Sequence, residues 1–354
     1  MRWAIFCRVI DNFGDAGVCW RLAADLNRCG EDVTLWIDRP DVLNKLIDPS
    51  PRKDTIHIRP WPADDLTFGC AEVADVVIEA FACDPPDAYV TAMAARAAAQ
   101  KPPVWINLEY LSAEDWVGAH HQLPSPHPRY PLIKHFYFPG FTAESGGLLR
   151  ENDDSLALDH DSNDSIVQPL RLFLFGYEQP ALHDWLRAQR DVVLSVAPCA
   201  IADQLGAPGV TLPEGCHIEL LPFVPQSAFD AVLQAQDFLF VRGEDSFVRA
   251  QWAAKPVFWQ IYPQEAGAHL EKLHAFYKRY LDPQILSTAD RDCFMRFILA
   301  WNGRGETALC GTLWPEILKM RPALHQNAQA WREHLLEQSD LVTQLRAFVA
   351  DLVK

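Results

Sequence analysis

The sequence predicts an α/β protein built from two Rossmann-like halves followed by C-terminal helices. Three observations carry that reading. Strand-like apolar runs alternate with helix-like periods from the first residues onward. The alternation stops in an acidic, polar stretch at 151–168 and then starts again. The 354 residues are 49% apolar and 22% charged, which is globular composition in a chain longer than one ordinary domain.

In the first half, Trp3–Ile10 reads as an apolar strand, and Asp11-Asn12-Phe13-Gly14-Asp15 as a polar turn. Val18, Trp20, Leu22, Ala23 and Leu26 then recur at helical spacing as far as Gly30, which suits a helix C-cap. Val33–Ile37, Val73–Phe81 and Val104–Leu108 read as further strands, with a helix over Tyr89–Gln100. In the second half, strands are expected at Leu170–Phe175, Val192–Val196, Ile218–Phe223, Phe238–Val241 and Pro256–Ile261. Helices are expected at Pro180–Ala188, Phe229–Gln234 and Ser246–Ala253. The chain ends in helical stretches, with Arg332–Val353 amphipathic. The expected division is 1–150, a polar linker or insertion at 151–168, 169–325, and helices at 326–354 that pack back on the first half.

Composition excludes several function classes. The charge is −16, against the basic surface that nucleic acid or anionic membrane rewards. No apolar run approaches the ~18 residues of a membrane span. The opening residues lack the long apolar stretch of a signal peptide, so a cytoplasmic protein is expected. Nine cysteines without paired spacing fit reduced thiols better than a zinc site.

Three constellations could carry chemistry. Arg242-Gly243-Glu244-Asp245-Ser246-Phe247 lies between a strand and a helix, at the strand end where ligands of open α/β sheets gather. Ser246 as a cap, the N–H groups of the first helical turn and the Arg242 fork could hold an anion. An ordinary capped helix beside solvated charges explains the same residues. Upstream, Phe223 and Gln226 could stack on and hydrogen-bond a nucleobase, or Phe223 could be core. A glycine-rich dinucleotide fingerprint is absent, so NAD and FAD are disfavoured.

Asp11 and Asp15 flank the first strand–helix junction. A carboxylate there could orient a nucleophile and take its proton. Alternatively, Asp15 caps the helix and Asp11 is a turn residue. Glu109 and Tyr110 follow a strand and open a loop containing His120, His121 and His127. These histidines lack metal-ligand spacing and read as loop residues.

At these residues the chain resembles the bacterial protein-arginine rhamnosyltransferases that modify translation elongation factor P. The matching stretches are DNFGDAGVCWRLA from Asp11, NLEYLSAEDWV from Asn107, FYFPGFTAESGGLLRE from Phe136, and RGEDSFVRAQWAAKPVFWQIYPQE from Arg242. The resemblance implies a GT-B fold, with an acceptor-binding N-terminal half facing a nucleotide-sugar-binding C-terminal half across a cleft. It implies transfer, with inversion, of L-rhamnose from dTDP-β-L-rhamnose to one arginine of elongation factor P, activating that factor for translation. No metal or other cofactor is expected. By position, Asp11 and Asp15 match the catalytic aspartates, with Asp15 as base, and Glu244 the glutamate near the donor sugar. Tyr177, Phe223, Gln226, Arg242, Asp245 and Ser246 match residues around the nucleotide. Asn12, Phe13, Gly14, Glu109 and Tyr110 are candidates for the acceptor side of the cleft. Two alternatives stand beside this: a GT-B transferase with another nucleotide-sugar or acceptor, and a non-catalytic protein that docks on elongation factor P.

Overall fold

In a computed structural model, residues 1–11, 13–47, 56–61, 66–99, 101–150, 169–264 and 267–354 are described. The expected linker at 151–168 lies outside them. The chain divides into two compact units, Met1–Glu151 with Gln338–Lys354, and Asn152–Glu337.

The first unit is organised around β1 (Arg2–Cys7), buried along all but its first residue. A parallel strand covered on both faces must be apolar continuously, which is why this run is legible without alternation. Strand β1 pairs in parallel with β2 (Asp32–Ile37) on one side and β4 (Val76–Ala80) on the other. Strand β3 (His57–Pro60) continues beyond β2, and β5 (Val104–Leu108), β7 (Ile133–Tyr137) and β6 (Pro124–Pro126) beyond β4. The order β3-β2-β1-β4-β5-β7-β6 reverses direction at β1, so the loops leaving β1 and β4 flank the sheet's switch point. Edge strand β6 runs antiparallel, so the sheet is not wholly parallel.

Helix α1 (Gly14–Arg28) packs its buried face on this sheet and ends where Gly30 takes φ +85°, a conformation other residues resist. Beside α3 (Asp87–Ala99), Phe6, Tyr89, Met93 and Trp105 close the core. The sheet's first strand stops at Cys7 rather than Ile10, because the next backbone N–H groups turn aside to carboxylates. Val9 N–H donates to Asp38 Oδ1 at 3.0 Å, and Ile10 N–H to Asp15 Oδ2 at 2.7 Å.

The second unit repeats the scheme. Strand β8 (Leu170–Leu174) pairs with β9 (Val192–Val196) and β11 (Phe238–Arg242); β10 (His217–Leu220) and β12 (Val257–Gln260) form the edges. All pairings are parallel. Its core is aromatic: Phe240 stacks on Phe258 with centroids 4.4 Å apart and meets Trp185 at 5.2 Å and Trp301 at 4.9 Å. Removing such a ring costs about 3–5 kcal/mol.

Two sets of boundaries need correction. The strand expected over Ile218–Phe223 ends at Leu220, and the following helix starts earlier than expected, at Gln226 (α7, Gln226–Gln234). The C-terminal helical stretches are α12 (Arg321–Leu336) and α13 (Leu341–Val353). The break is chemical: Asp340 caps α13, accepting from Thr343 N–H at 2.9 Å. The boundary expected at 325/326 therefore falls inside α12, which belongs to the second unit; α13 belongs to the first. There Leu341 N–H reaches Leu148 O, and Arg346 pairs with Glu31 at 2.9 Å.

Candidate functional site

In the first unit, β1 delivers the chain to a turn in which Gly14 N–H donates to Asp11 O at 2.6 Å. Helix α1 starts there, with Phe13 at the N-cap position and no side-chain capping bond. Asp15 is therefore not the cap that local preference suggests. Its carboxylate points back out of the helix, and Oδ2 accepts both Ile10 N–H at 2.7 Å and Asp11 N–H at 2.8 Å. Both aspartates are buried, Asp15 to 3% and Asp11 to 8% exposure. Burial lifts the Asp15 carboxyl above the ordinary aspartate range. The charges of Asp11 and Asp38 add to the rise, and the two backbone bonds oppose it.

A Cβ at Gly14 would sit 2.9 Å from Asp11 Oδ2, so the glycine leaves the Asp11 carboxylate where it is. The Phe13 ring lies 5.9 Å from the Lys45 ammonium. Asn12 lies outside the described residues.

Glu109 and Tyr110 follow β5 on the same sheet edge. Asn107 Nδ2 donates to Glu109 Oε1 at 2.6 Å, and the Tyr110 ring stacks on Phe81 at 4.5 Å and 16°. Phe81 was not legible as a site residue, nor was its backbone. Phe81, Ala82 and Asp84, just past β4, all take positive φ (58°, 52° and 47°), rare for residues with side chains. The sequence holds no local signal for this, since the strand order that places the loop at the switch point is a tertiary property.

The histidines of the loop serve the loop itself. His121 Nδ1 accepts from Phe138 N–H, and burial lowers its pKa to about 4. His127 Nδ1 accepts from the backbone of Arg129 and Tyr130, and His120 Nδ1 lies 2.9 Å from Trp116 O. No group of His, Cys, Asp or Glu suited to a metal ion occurs among the described residues, and no helix among them is long and apolar enough to cross a membrane.

In the second unit, Arg242 ends β11. Its guanidinium lies over the Phe175 ring at 4.5 Å and the Tyr177 ring at 4.8 Å, so aromatic faces orient it. Tyr177 was named only through the family resemblance, and Phe175 was not named as a site residue. Tyr177 is held in turn by its N–H, which donates to Gln260 Oε1 at 2.9 Å.

Helix α8 (Asp245–Trp252) follows, and Glu244 occupies its N-cap position without a capping hydrogen bond. Ser246 was expected to cap. Instead its hydroxyl donates to Arg242 O at 2.5 Å, because a serine inside the first turn reaches the carbonyl four residues back. Gln226 Nε2 donates to Asp245 Oδ2 at 2.9 Å, bringing α7 and α8 together at this loop. Phe223, past the end of β10, is 42% exposed, so the core reading of that ring is excluded. The loop's back wall is Trp259, whose indole N–H donates to Gly243 O at 2.7 Å while its ring stacks on Phe247 at 3.8 Å.

The first unit thus presents a pair of buried carboxylates, suited to a cation that must lose a proton. The second presents an oriented guanidinium, a helix N-terminus and an exposed aromatic, suited to a nucleoside diphosphate.

Comparison with known proteins places the whole chain in one family. Residues 3–350 match the family described as elongation-factor P (EF-P) rhamnosyltransferase EarP. A protein-arginine rhamnosyltransferase of Pseudomonas putida is 40% identical, over 98% of each chain. A solved structure described as the structural basis for EarP-mediated arginine glycosylation of translation elongation factor EF-P superposes with a TM-score of 0.65. It is 29% identical and covers 99% of both chains. Acinetobacter baumannii MurG, 12% identical with a TM-score of 0.56 over 99% of each chain, shares the fold alone. The architecture is that of the GT-B glycosyltransferases. A match over nearly every residue, in a chain with this pair of carboxylates and this loop, shows that the protein belongs to the EarP family of EF-P rhamnosyltransferases.

Proposed function

We propose that the protein transfers L-rhamnose from dTDP-β-L-rhamnose to a terminal guanidinium nitrogen of one arginine of elongation factor P, with inversion at the sugar carbon. The observation that carries this is the Asp15 carboxylate, buried, lifted in basicity and fixed through one oxygen by two backbone N–H groups. A guanidinium is a poor nucleophile because its lone pairs are delocalised over a planar cation. Transfer requires a carboxylate to hold that cation and a second to remove a proton.

Asp11 holds the guanidinium and localises its charge away from the attacking nitrogen. That nitrogen forms the bond to the sugar C1 while the C1–oxygen bond to dTDP breaks. Its proton passes to Asp15. With Oδ2 already accepting two N–H groups, Oδ1 is the oxygen assigned to the proton. Phe13 and Gly14 shape the wall behind Asp11, and Glu109 and Tyr110 belong to the acceptor side. Glu244 is assigned to the sugar, whose developing positive charge a carboxylate favours.

Arg242, oriented by Tyr177 and Phe175, meets the departing diphosphate in the plane of its fork, together with the N-terminus of α8. Phe223 offers a face for the base, and Gln226, Asp245 and Ser246 order the loop around the nucleotide. Protein donors supply what a divalent cation supplies elsewhere, so the mechanism uses no metal.

The test is to incubate the protein with dTDP-rhamnose and purified elongation factor P and weigh the acceptor. A gain of one deoxyhexose on one arginine is expected. An unchanged acceptor mass overturns the reading.

A further inference from the structure

The loops leaving β4 and β5 are tied together at one buried residue. Asn107, 2% exposed, accepts from Ala82 N–H through Oδ1 at 3.2 Å and donates to Glu109 Oε1 through Nδ2 at 2.6 Å. On the first loop, Phe81 and Ala82 hold left-handed backbone that residues with a Cβ adopt at a cost. The Phe81 N–H is fixed to Leu108 O at 2.7 Å, and its ring lies flat on Tyr110. Strain of this kind persists where the surroundings over-determine it. Here it places an aromatic pair beside an oriented carboxylate, at the carboxyl ends of β4, which neighbours β1, and of β5, the next strand beyond it. Parallel strands lie roughly 4.8 Å apart, so β5 is about 10 Å from β1, within the footprint of one protein loop.

We propose that Asn107 is a positioning residue. It sets Glu109 and the Phe81–Tyr110 pair as a second anchoring point for the cationic loop of the protein acceptor, beside the Asp11–Asp15 turn. Carboxylate plus aromatic face is the chemistry that receives a guanidinium or ammonium. An amide suits the task, accepting from Ala82 through its oxygen while donating to Glu109 through its nitrogen. The inference rests on the acceptor being a protein loop that presents arginine, as proposed above.

The test compares wild type with Asn107→Asp, Glu109→Gln, Tyr110→Leu and the double variant Asn107→Asp/Glu109→Gln in steady-state transfer to purified elongation factor P, with dTDP binding read by calorimetry. Asn107→Asp keeps the bond to Ala82 N–H but repels Glu109. A purely structural Asn107 predicts wild-type kinetics for it, whereas positioning predicts an acceptor KM raised about tenfold with kcat and dTDP affinity unchanged. Glu109→Gln and Tyr110→Leu should raise the same constant. The double variant should be no worse than Glu109→Gln, because the aspartate keeps the Ala82 bond and acts only by repelling an ionised Glu109. Unchanged acceptor KM in Asn107→Asp and Glu109→Gln, or losses that multiply in the double variant, overturns the inference. Should the double variant fail to fold, the single variants decide. A wild type that transfers nothing sinks the proposed function instead, so the two failures are distinguishable.

Discussion

Asp15 Oδ2 accepts the backbone N–H of Asp11 at 2.8 Å, so the two carboxylates of the first unit belong to one hydrogen-bonded turn. This places the assigned base by backbone rather than by another side chain. Replacing Asp15 with Asn keeps an oxygen that can accept both N–H groups, and removes the basic one. Transfer should fall by about 10²–10⁴-fold in kcat/KM, the usual worth of general-base catalysis. Binding of dTDP, measured by calorimetry, should not change, because the nucleotide's assigned residues lie in the other unit. Near-normal turnover in this variant would show that the base is another group.

The same residue links pH to both activity and stability. Burial, with the Asp11 and Asp38 charges, raises the folded pKa above the unfolded one. The folded protein therefore binds that proton more tightly. Ionisation costs no stability below the ordinary aspartate range; the cost grows as pH rises from there to the raised value and is constant above it. The acid limb of kcat/KM should accordingly lie above the pH at which an ordinary aspartate titrates. Thermal melts should show the Asn variant gaining on the wild type as pH rises from that range toward neutrality, then holding a constant advantage. A variant less stable than wild type at neutral pH would refute the assigned balance.

How much of this was legible in the sequence follows from range. The centres of Val104–Leu108 and Val192–Val196 were readable because buried parallel strands need continuous apolar runs. The strand end at Cys7 was not, because the bonds that stop it come from Asp38 and Asp15, outside the strand itself. Asp11 and Asp15 stood out as a spaced pair, but spacing alone could not separate a base from a cap. Ser246 suggested a cap by residue type, and the structure shows its hydroxyl satisfied one turn back. Phe81 and Asn107 were invisible, since a left-handed backbone and a bond spanning 25 residues leave no local pattern.

Arg242 should not tolerate lysine. Its guanidinium lies over both the Phe175 and Tyr177 rings, and a planar cation can stack while donating hydrogen bonds in its own plane. An ammonium loses that geometry. Arg242→Lys should weaken dTDP binding by about tenfold or more in calorimetry, with the acceptor KM unaltered. Equal dTDP affinity in the two proteins would remove Arg242 from the donor assignment.

Gly14→Ala separates placement of Asp11 from stability of the helix. Position 14 opens α1, and alanine favours a helix over glycine by about 1 kcal/mol. The added Cβ would meet Asp11 Oδ2 at 2.9 Å, and a carboxylate tip can swing aside at little cost to the fold. The melting temperature should therefore hold or rise slightly. The displaced carboxylate no longer holds the guanidinium in line with the sugar, and a misplacement of about 1 Å costs up to 10²-fold in rate. Transfer should drop with dTDP affinity intact. A Gly14→Ala enzyme that turns over normally would mean that the position of the Asp11 carboxylate does not matter to the reaction.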